Sequence, residues 1–229
     1  MDKLIEYTPL LARGALVTVA LALASLALAT LMGGLAAAAR IGGGPIGRGL
    51  VLAYTSIVRG VPDLVMILLI YFGGQRLLNI LLDLFGVAPI SLSPFWAGVI
   101  AIGFIYGAYL AETFRGAYMT IPKGQLEAGQ ALGMRGLPLI GKVMIPQLVR
   151  FALPGYGNVW QVLVKSTAVV SVIGLNDLVG LANDAGKTAR EPFLFLSAVM
   201  LVYLLITFVS TNALGMMERR FALKGHHAR

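Results

Sequence analysis

Charged residues are sparse in this chain and separate long apolar stretches. Between Arg13 and Arg40, 26 consecutive residues, Gly14 to Ala39, carry no charge. At about 1.5 Å per helical residue that is enough to cross a hydrocarbon layer of about 30 Å. A second stretch, 49–75, is interrupted by Arg59 and Asp63 and contains the apolar run Leu64 to Gly74. A third lacks charge from Leu84 to Ala111, but Pro89 and Pro94 put the start of its helix near Pro94, which leaves Leu77 to Phe85 as an interfacial segment. The fourth contains Lys165, and the fifth, Pro192 to Met217, is again uncharged for 26 residues. The pattern predicts an all-α membrane protein with five transmembrane helices at 14–39, 49–75, 94–111, 151–173 and 192–217, in a single transmembrane domain over 1–229.

Composition supports lipid as the solvent. Only 12% of residues are charged and 58% are hydrophobic, against about 25% charged in soluble domains. The lack of cysteine excludes a disulfide scaffold, a Cys-ligated metal site and thiol catalysis. A cleaved signal peptide is disfavoured, because the first stretch is too long and Asp2, Lys3 and Glu6 do not make a basic leader.

Orientation follows from where the basic residues collect. Eleven of the 18 lysines and arginines fall in 40–48, 112–150 and 218–229, and five in 1–13, 75–93 and 177–191. The N-terminus is therefore expected outside and the C-terminus in the cytoplasm. The net charge of +8 reflects this asymmetry, and no basic and aromatic stripe suited to nucleic acid is present. No internal repeat or inverted half is visible, so a pathway would need a second subunit.

Two glycine motifs lack their context. Gly42, Gly44 and Gly47 fit a dinucleotide fingerprint but sit in a short turn between membrane helices. Gly136, Gly141 and Lys142 begin a P-loop that ends in Val143 instead of the magnesium-binding Ser or Thr. The chain is not expected to hydrolyse ATP. It carries no paired carboxylates or metal-ligand spacing of an enzyme. His226 and His227, near the tail, are assigned no role.

An ionised side chain at mid-membrane costs about 2.5–3.5 kcal/mol, so Arg59, Asp63 and Lys165 should face protein or water. Pro62 is expected to kink or break the second helix between Arg59 and Asp63. Counted from Arg48 and Arg150 at the surface, Asp63 and Lys165 both lie about 22 Å in. They are candidates either for a structural ion pair, Asp63 with Lys165 or Arg59, or for a solute site in which Asp63 accepts a cation and Arg59 or Lys165 takes a carboxylate. Glu112 comes out near the inner face, where Arg115 at i+3 is its expected partner. Gly103, Gly107 and Ala111 form a small-residue edge suited to close helix packing.

The longest inner segment, 112–150, is neither Gly/Ser-rich nor disordered in composition. Lys123 to Met134 reads as a short helix after Pro122, and Leu137 to Ile145 as another before Pro146. Leu126, Gln130 and Met134 recur at i, i+4, i+8, a pattern that can seat in a partner's groove.

EAGQALG at Glu127 to Gly133, followed by Val143 and then Met144, Ile145 and Pro146, closely resembles the EAA loop of ABC importer permeases. Gly129, Val143 and Ile145 depart from that pattern by small changes in volume. RGVPDL at Arg59 to Leu64, GAYLAETFRGA at Gly107 to Ala117, LPGYGNVWQVLVKSTAVVSVIG at Leu153 to Gly174 and EPF at Glu191 to Phe193 are similar to polar amino acid permeases. The likeness is strongest to the histidine/lysine/arginine/ornithine group (Q-type subunit), with opine permeases close behind.

The resemblance implies a type I ABC importer permease fold (MetI-like) in the cell inner membrane. It implies a second permease subunit, identical or a paralogue, two ABC ATPase subunits and a periplasmic or extracellular solute-binding protein. The cargo would be a polar, basic amino acid or opine. No cofactor is then expected on this chain, with ATP and Mg bound by the partners. Glu127, Ala128, Gly129, Gly133 and Pro146 would belong to the coupling segment 123–146, and an acid at Asp63 would favour basic solutes. The rival expectation is an ATPase-independent channel or secondary carrier relaying ions through Asp63, Glu112 and Lys165.

Overall fold

The computed structural model describes residues 2–221; His226 and His227, with Lys224 and Arg229, lie outside the described residues. Those residues form helices joined by short connections, with no strand among them. In chain order they are α1 (Asp2–Gly42), α2 (Pro45–Gly60), α3 (Asp63–Leu84), α4 (Pro94–Thr120) and α5 (Lys123–Ala131). They continue as α6 (Leu137–Ile173), α7 (Leu178–Ala189) and α8 (Pro192–Phe221). Among the described residues, five helices are long and apolar enough to cross a membrane: Leu4–Gly42, then α3, α4, α6 and α8.

The stretch 49–75, expected as one interrupted span, is two helices. Val61 and Pro62 are extended, at φ −107°, ψ 138° and φ −57°, ψ 136°. Proline offers no N–H and pushes the residue before it out of the helical region, so the chain breaks there. The segment expected as interfacial, Leu77 to Phe85, is helical and continues α3 as far as Leu84. Its polar residues lie on one helix face: the Gln75 amide donates to Asn79 Oδ1 (3.1 Å) and to the Ile90 carbonyl (2.5 Å), and accepts from the Leu92 N–H (2.6 Å). One side chain thus ties the 87–93 loop to the helix.

Helix α4 is also longer than the 94–111 read from sequence. It carries Glu112 within it, because that carboxylate is paired with Arg115 (2.9 Å) and with Arg40 at the end of α1. Helix α4 is the buried centre of the bundle, with Ile102, Ile105, Tyr106 and Leu110 enclosed mainly by α1 and α6. Small residues permit the α1–α4 approach. A Cβ on Gly33 would stand 2.7 Å from Leu110 Cβ and 3.0 Å from the Ala111 nitrogen, and one on Gly103 2.6 Å from Leu28.

A second, smaller core joins Leu11, Leu178, Ala182, Phe195 and Val199 from α1, α7 and α8. Asp177 starts α7 by accepting the Gly180 N–H at 2.8 Å, while the Leu178 N–H goes to Thr18 Oγ1 at 3.1 Å. Asp177 is fully buried, and its Oδ2 has no hydrogen-bond partner. Burial pushes its carboxyl up to about 6, partly offset by backbone N–H donors.

Two outcomes are expected. Gly33→Ala should lower the thermal midpoint of the purified protein in detergent by overpacking, a cost of about 1–3 kcal/mol. Gly34→Ala, where a Cβ would meet nothing within 4 Å, should leave it unchanged or raise it. For Asp177 the ionised form is the disfavoured one in the fold. The stability held by its proton is present at acidic pH and lost as pH rises through about 6. Asp177→Asn keeps a capping oxygen and should flatten that fall between about pH 4 and pH 7 in a melting-temperature series.

Candidate functional site

The break between α2 and α3 lies beside a compact polar cluster. Asp63, in the first turn of α3, accepts hydrogen bonds through Oδ2 from Tyr106 Oη of α4 (2.8 Å) and Ser166 Oγ of α6 (3.1 Å). The two hydroxyls are also 2.5 Å apart, so either can turn its single proton from the carboxylate to the other. Tyr106 stacks on Tyr109, with ring centroids 5.5 Å apart, and the Arg59 guanidinium sits 5.3 Å from the Tyr109 centroid. Arg59 and Asp63 are thus connected through two aromatic rings. Arg59 also lines a cavity of about 410 Å³ with Thr55, Ser56, Arg40 and Glu112.

Lys165 stands apart from this cluster. It lines a different cavity of about 390 Å³, with Ala168, Met200, Tyr203 and Thr207 toward α8. No Asp63 salt bridge to Lys165 or Arg59 occurs among the described residues. Helix geometry gives the reason: neighbouring residues are turned by about 100°, so with Ser166 facing Asp63, Lys165 points elsewhere. Shared depth did not mean shared direction.

At the end of the bundle where α4 stops, α5 is a short helix with one buried position, Gly129. A Cβ there would be 2.6 Å from Leu139 Cδ1 and 3.4 Å from Val143 Cγ2. The small residue is matched to the larger side chains that α6 packs against it. Gly133 ends the helix at φ +81°, where L side chains are strained. The Met134 N–H reaches the Gly129 carbonyl (3.0 Å) and the Gly133 N–H the Gln130 carbonyl (2.9 Å), closing the carbonyls of the last turn. Glu127 and Ala128 are exposed. Leu132 and Leu137 are 79% and 83% exposed.

Pro146 does not end a helix, contrary to the sequence reading. Helix α6 runs through it, after a π turn at Ile140–Met144. The wider turn relieves the crowding a proline ring makes with the carbonyl four residues earlier. No strand precedes either glycine motif, at Gly42 to Gly47 or at Gly136 to Lys142, so neither has the setting of a nucleotide site.

Residues 29–223 match the family described as binding-protein-dependent transport system inner membrane component. The chain belongs to that family. Among this membrane component's relatives, the histidine/lysine/arginine/ornithine transport system permease protein HisQ of Salmonella typhimurium is 44% identical, over 95% of each chain. The octopine transport system permease protein OccQ of Agrobacterium tumefaciens is 39% identical over 91% of this chain and 88% of its own. A crystal structure of an amino acid ABC transporter with histidines superposes at a TM-score of 0.77 with 32% identity, covering 95% of this chain and 96% of the other. The MetNI methionine ABC transporter, at 18% identity over 95% of this chain and 99% of its own and a TM-score of 0.73, shares the fold. This inner membrane component is thus an all-α, multi-pass protein with the type I ABC importer permease fold.

Tyr106, Tyr109, Ser166 and Arg40 were not singled out from sequence. Hydroxyls and rings inside apolar helices carry no charge signal. The Arg40–Glu112 pair spans 72 positions, beyond any local pattern, whereas the Glu112–Arg115 pair at i+3 is visible in sequence.

Proposed function

We propose that this chain is the permease half of an ATP-driven importer for basic amino acids or related opines, with its N-terminus outside and C-terminus in the cytoplasm. The observation that carries the reading is helix α5. It is short, glycine-terminated and exposed along Glu127 and Ala128, and it sits between the ends of two membrane helices that both touch Asp63. In this reading two ATPase subunits bind ATP and Mg and seat α5. A second permease chain completes the pathway, and an external solute-binding protein delivers cargo. This chain binds no cofactor and performs no hydrolysis.

Glu127, Ala128, Gly129, Gly133 and Pro146 form the coupling segment. ATP-driven closure of the partners displaces α5, and α4 and α6 follow. Differential contacts of this kind are what a two-state coupling requires. Asp63 is the acceptor for a cationic group, reached when solute displaces the Tyr106 and Ser166 hydroxyls, and Arg59 is placed to meet a carboxylate. Lys165 has no partner among the described residues and is exposed. Against lipid that would cost about 2.5–3.5 kcal/mol, so the second permease chain or a water-filled pathway covers it.

The names of the relatives support the solute class, since histidine, lysine, arginine, ornithine and octopine all carry basic nitrogen. The rival, an ATPase-independent relay through Asp63, Glu112 and Lys165, is disfavoured because Asp63 and Glu112 are held by different partners and Lys165 lines a separate cavity.

Two measurements test this in proteoliposomes. Glu127→Lys should leave membrane insertion intact while cutting ATP-driven uptake at least tenfold relative to ATP hydrolysis. Normal coupling would remove the role given to α5. Asp63→Asn should depress lysine or arginine uptake about tenfold more than uptake of a neutral solute, whereas equal loss for both would make the carboxylate structural.

A further inference from the structure

Three arginines from three helices converge on one cavity at the α5 end of the bundle. It measures about 440 Å³ and is lined by Arg40 and Ile41 of α1, Arg48 and Leu52 of α2, and Arg115 and Met119 of α4. Glu112 is the acid that two of the arginines share. It pairs with Arg40 and takes Nε and Nη2 of Arg115. The remaining Nη1 of Arg115 contacts the Met119 sulfur at 2.8 Å, a weak acceptor. Arg48 has only a long 3.5 Å contact to the Ile41 carbonyl. Three guanidinium charges against one carboxylate leave a surplus of two positive charges around a single concavity.

The rest of the wall is apolar and open. Beside Ile41 and Tyr118, the lining residues Met119 and Leu52 are 68% and 50% exposed. A cavity that is cationic at its floor, apolar at its rim and placed at the end of membrane helices matches an amphiphile with an anionic head. We propose that it binds the headgroup phosphodiester of an anionic phospholipid such as phosphatidylglycerol, with Arg48 and the free edges of Arg40 and Arg115 on the phosphate. The acyl chains lie against Leu52 and Met119 at the mouth of the cavity. Basic pockets between membrane helices bind anionic headgroups for this reason.

The charge count also sets selectivity. A zwitterionic headgroup brings an amine that needs an acid, and Glu112 is already held by two arginines. The surplus therefore favours a headgroup with net negative charge over phosphatidylethanolamine or phosphatidylcholine. The inference requires that the chain spans a membrane but not a particular orientation, solute or motor.

The test is native mass spectrometry on the detergent-purified full-length protein with its co-purifying subunits, titrated with phosphatidylglycerol, phosphatidylethanolamine and inorganic phosphate. The expected result is retention of phosphatidylglycerol over phosphatidylethanolamine. Arg48→Gln should weaken it about fivefold, as for the loss of one basic contact near a membrane surface, and Arg48→Lys should retain most of it. Because the one contact of Arg48 to another helix is the long one to the Ile41 carbonyl, the melting temperature of both variants should stay close to the parent's. Equal retention of the two lipids, no effect of Arg48→Gln, or loss of a co-purifying subunit in place of lipid would each overturn the proposal. Displacement of phosphatidylglycerol by millimolar inorganic phosphate would make it a free-anion site and overturn the lipid assignment.

Discussion

A helix broken inside a membrane exposes the carbonyls of its last turn and the N–H groups of the next helix's first turn. Neither set has a partner in hydrocarbon. The break at Val61–Pro62 imposes this constraint, and the bundle is arranged around it. Tyr106 from the buried centre of α4 and Ser166 from the end of α6 close on Asp63 just past the break, and Arg59 just before it lies over Tyr109. Two ionisable side chains that lipid alone would reject are thereby held by hydroxyls and rings.

The same contacts give a path for force. Helix α5 lies between the end of α4 at Thr120 and the start of α6 at Leu137. Tyr106 is 14 residues from that end of α4, about 21 Å along the helix, and Ser166 lies further along α6. In the proposed coupling, displacement of α5 would reach the two hydroxyls that bind Asp63 through the helices on either side of it. The packing that transmits it is tight where glycine allows: Gly33 and Gly103 bring α1 onto α4, and Gly129 lets Leu139 rest on α5. The Arg40–Glu112–Arg115 group ties α1 to α4 near the loop end.

The membrane helices were legible because charge is scarce and each lysine or arginine marks a limit. Their bounds were less legible. Glu112 seemed to end a span that its arginines let continue, and Gln75 seemed to end one that it instead ties to a loop. The break at Pro62 followed from local chemistry and is present. The grouping of Asp63 with Lys165 did not survive, because depth can be counted from sequence while rotation about a helix is set by what packs beside it. Gly129 looked like a minor departure in the loop motif; in the folded chain it is what Leu139 requires. Family membership was readable from the loop and its flanking motifs together.

The most direct measurement is uptake of labelled arginine into proteoliposomes containing the chain with its co-expressed ATPase, second permease subunit and binding protein, compared with vesicles holding the chain alone under a voltage or pH gradient. Uptake that follows ATP in the full assembly and is absent from the chain alone is the expected result. Gradient-driven uptake by the chain alone would contradict the assignment of α5 as the attachment of an external motor.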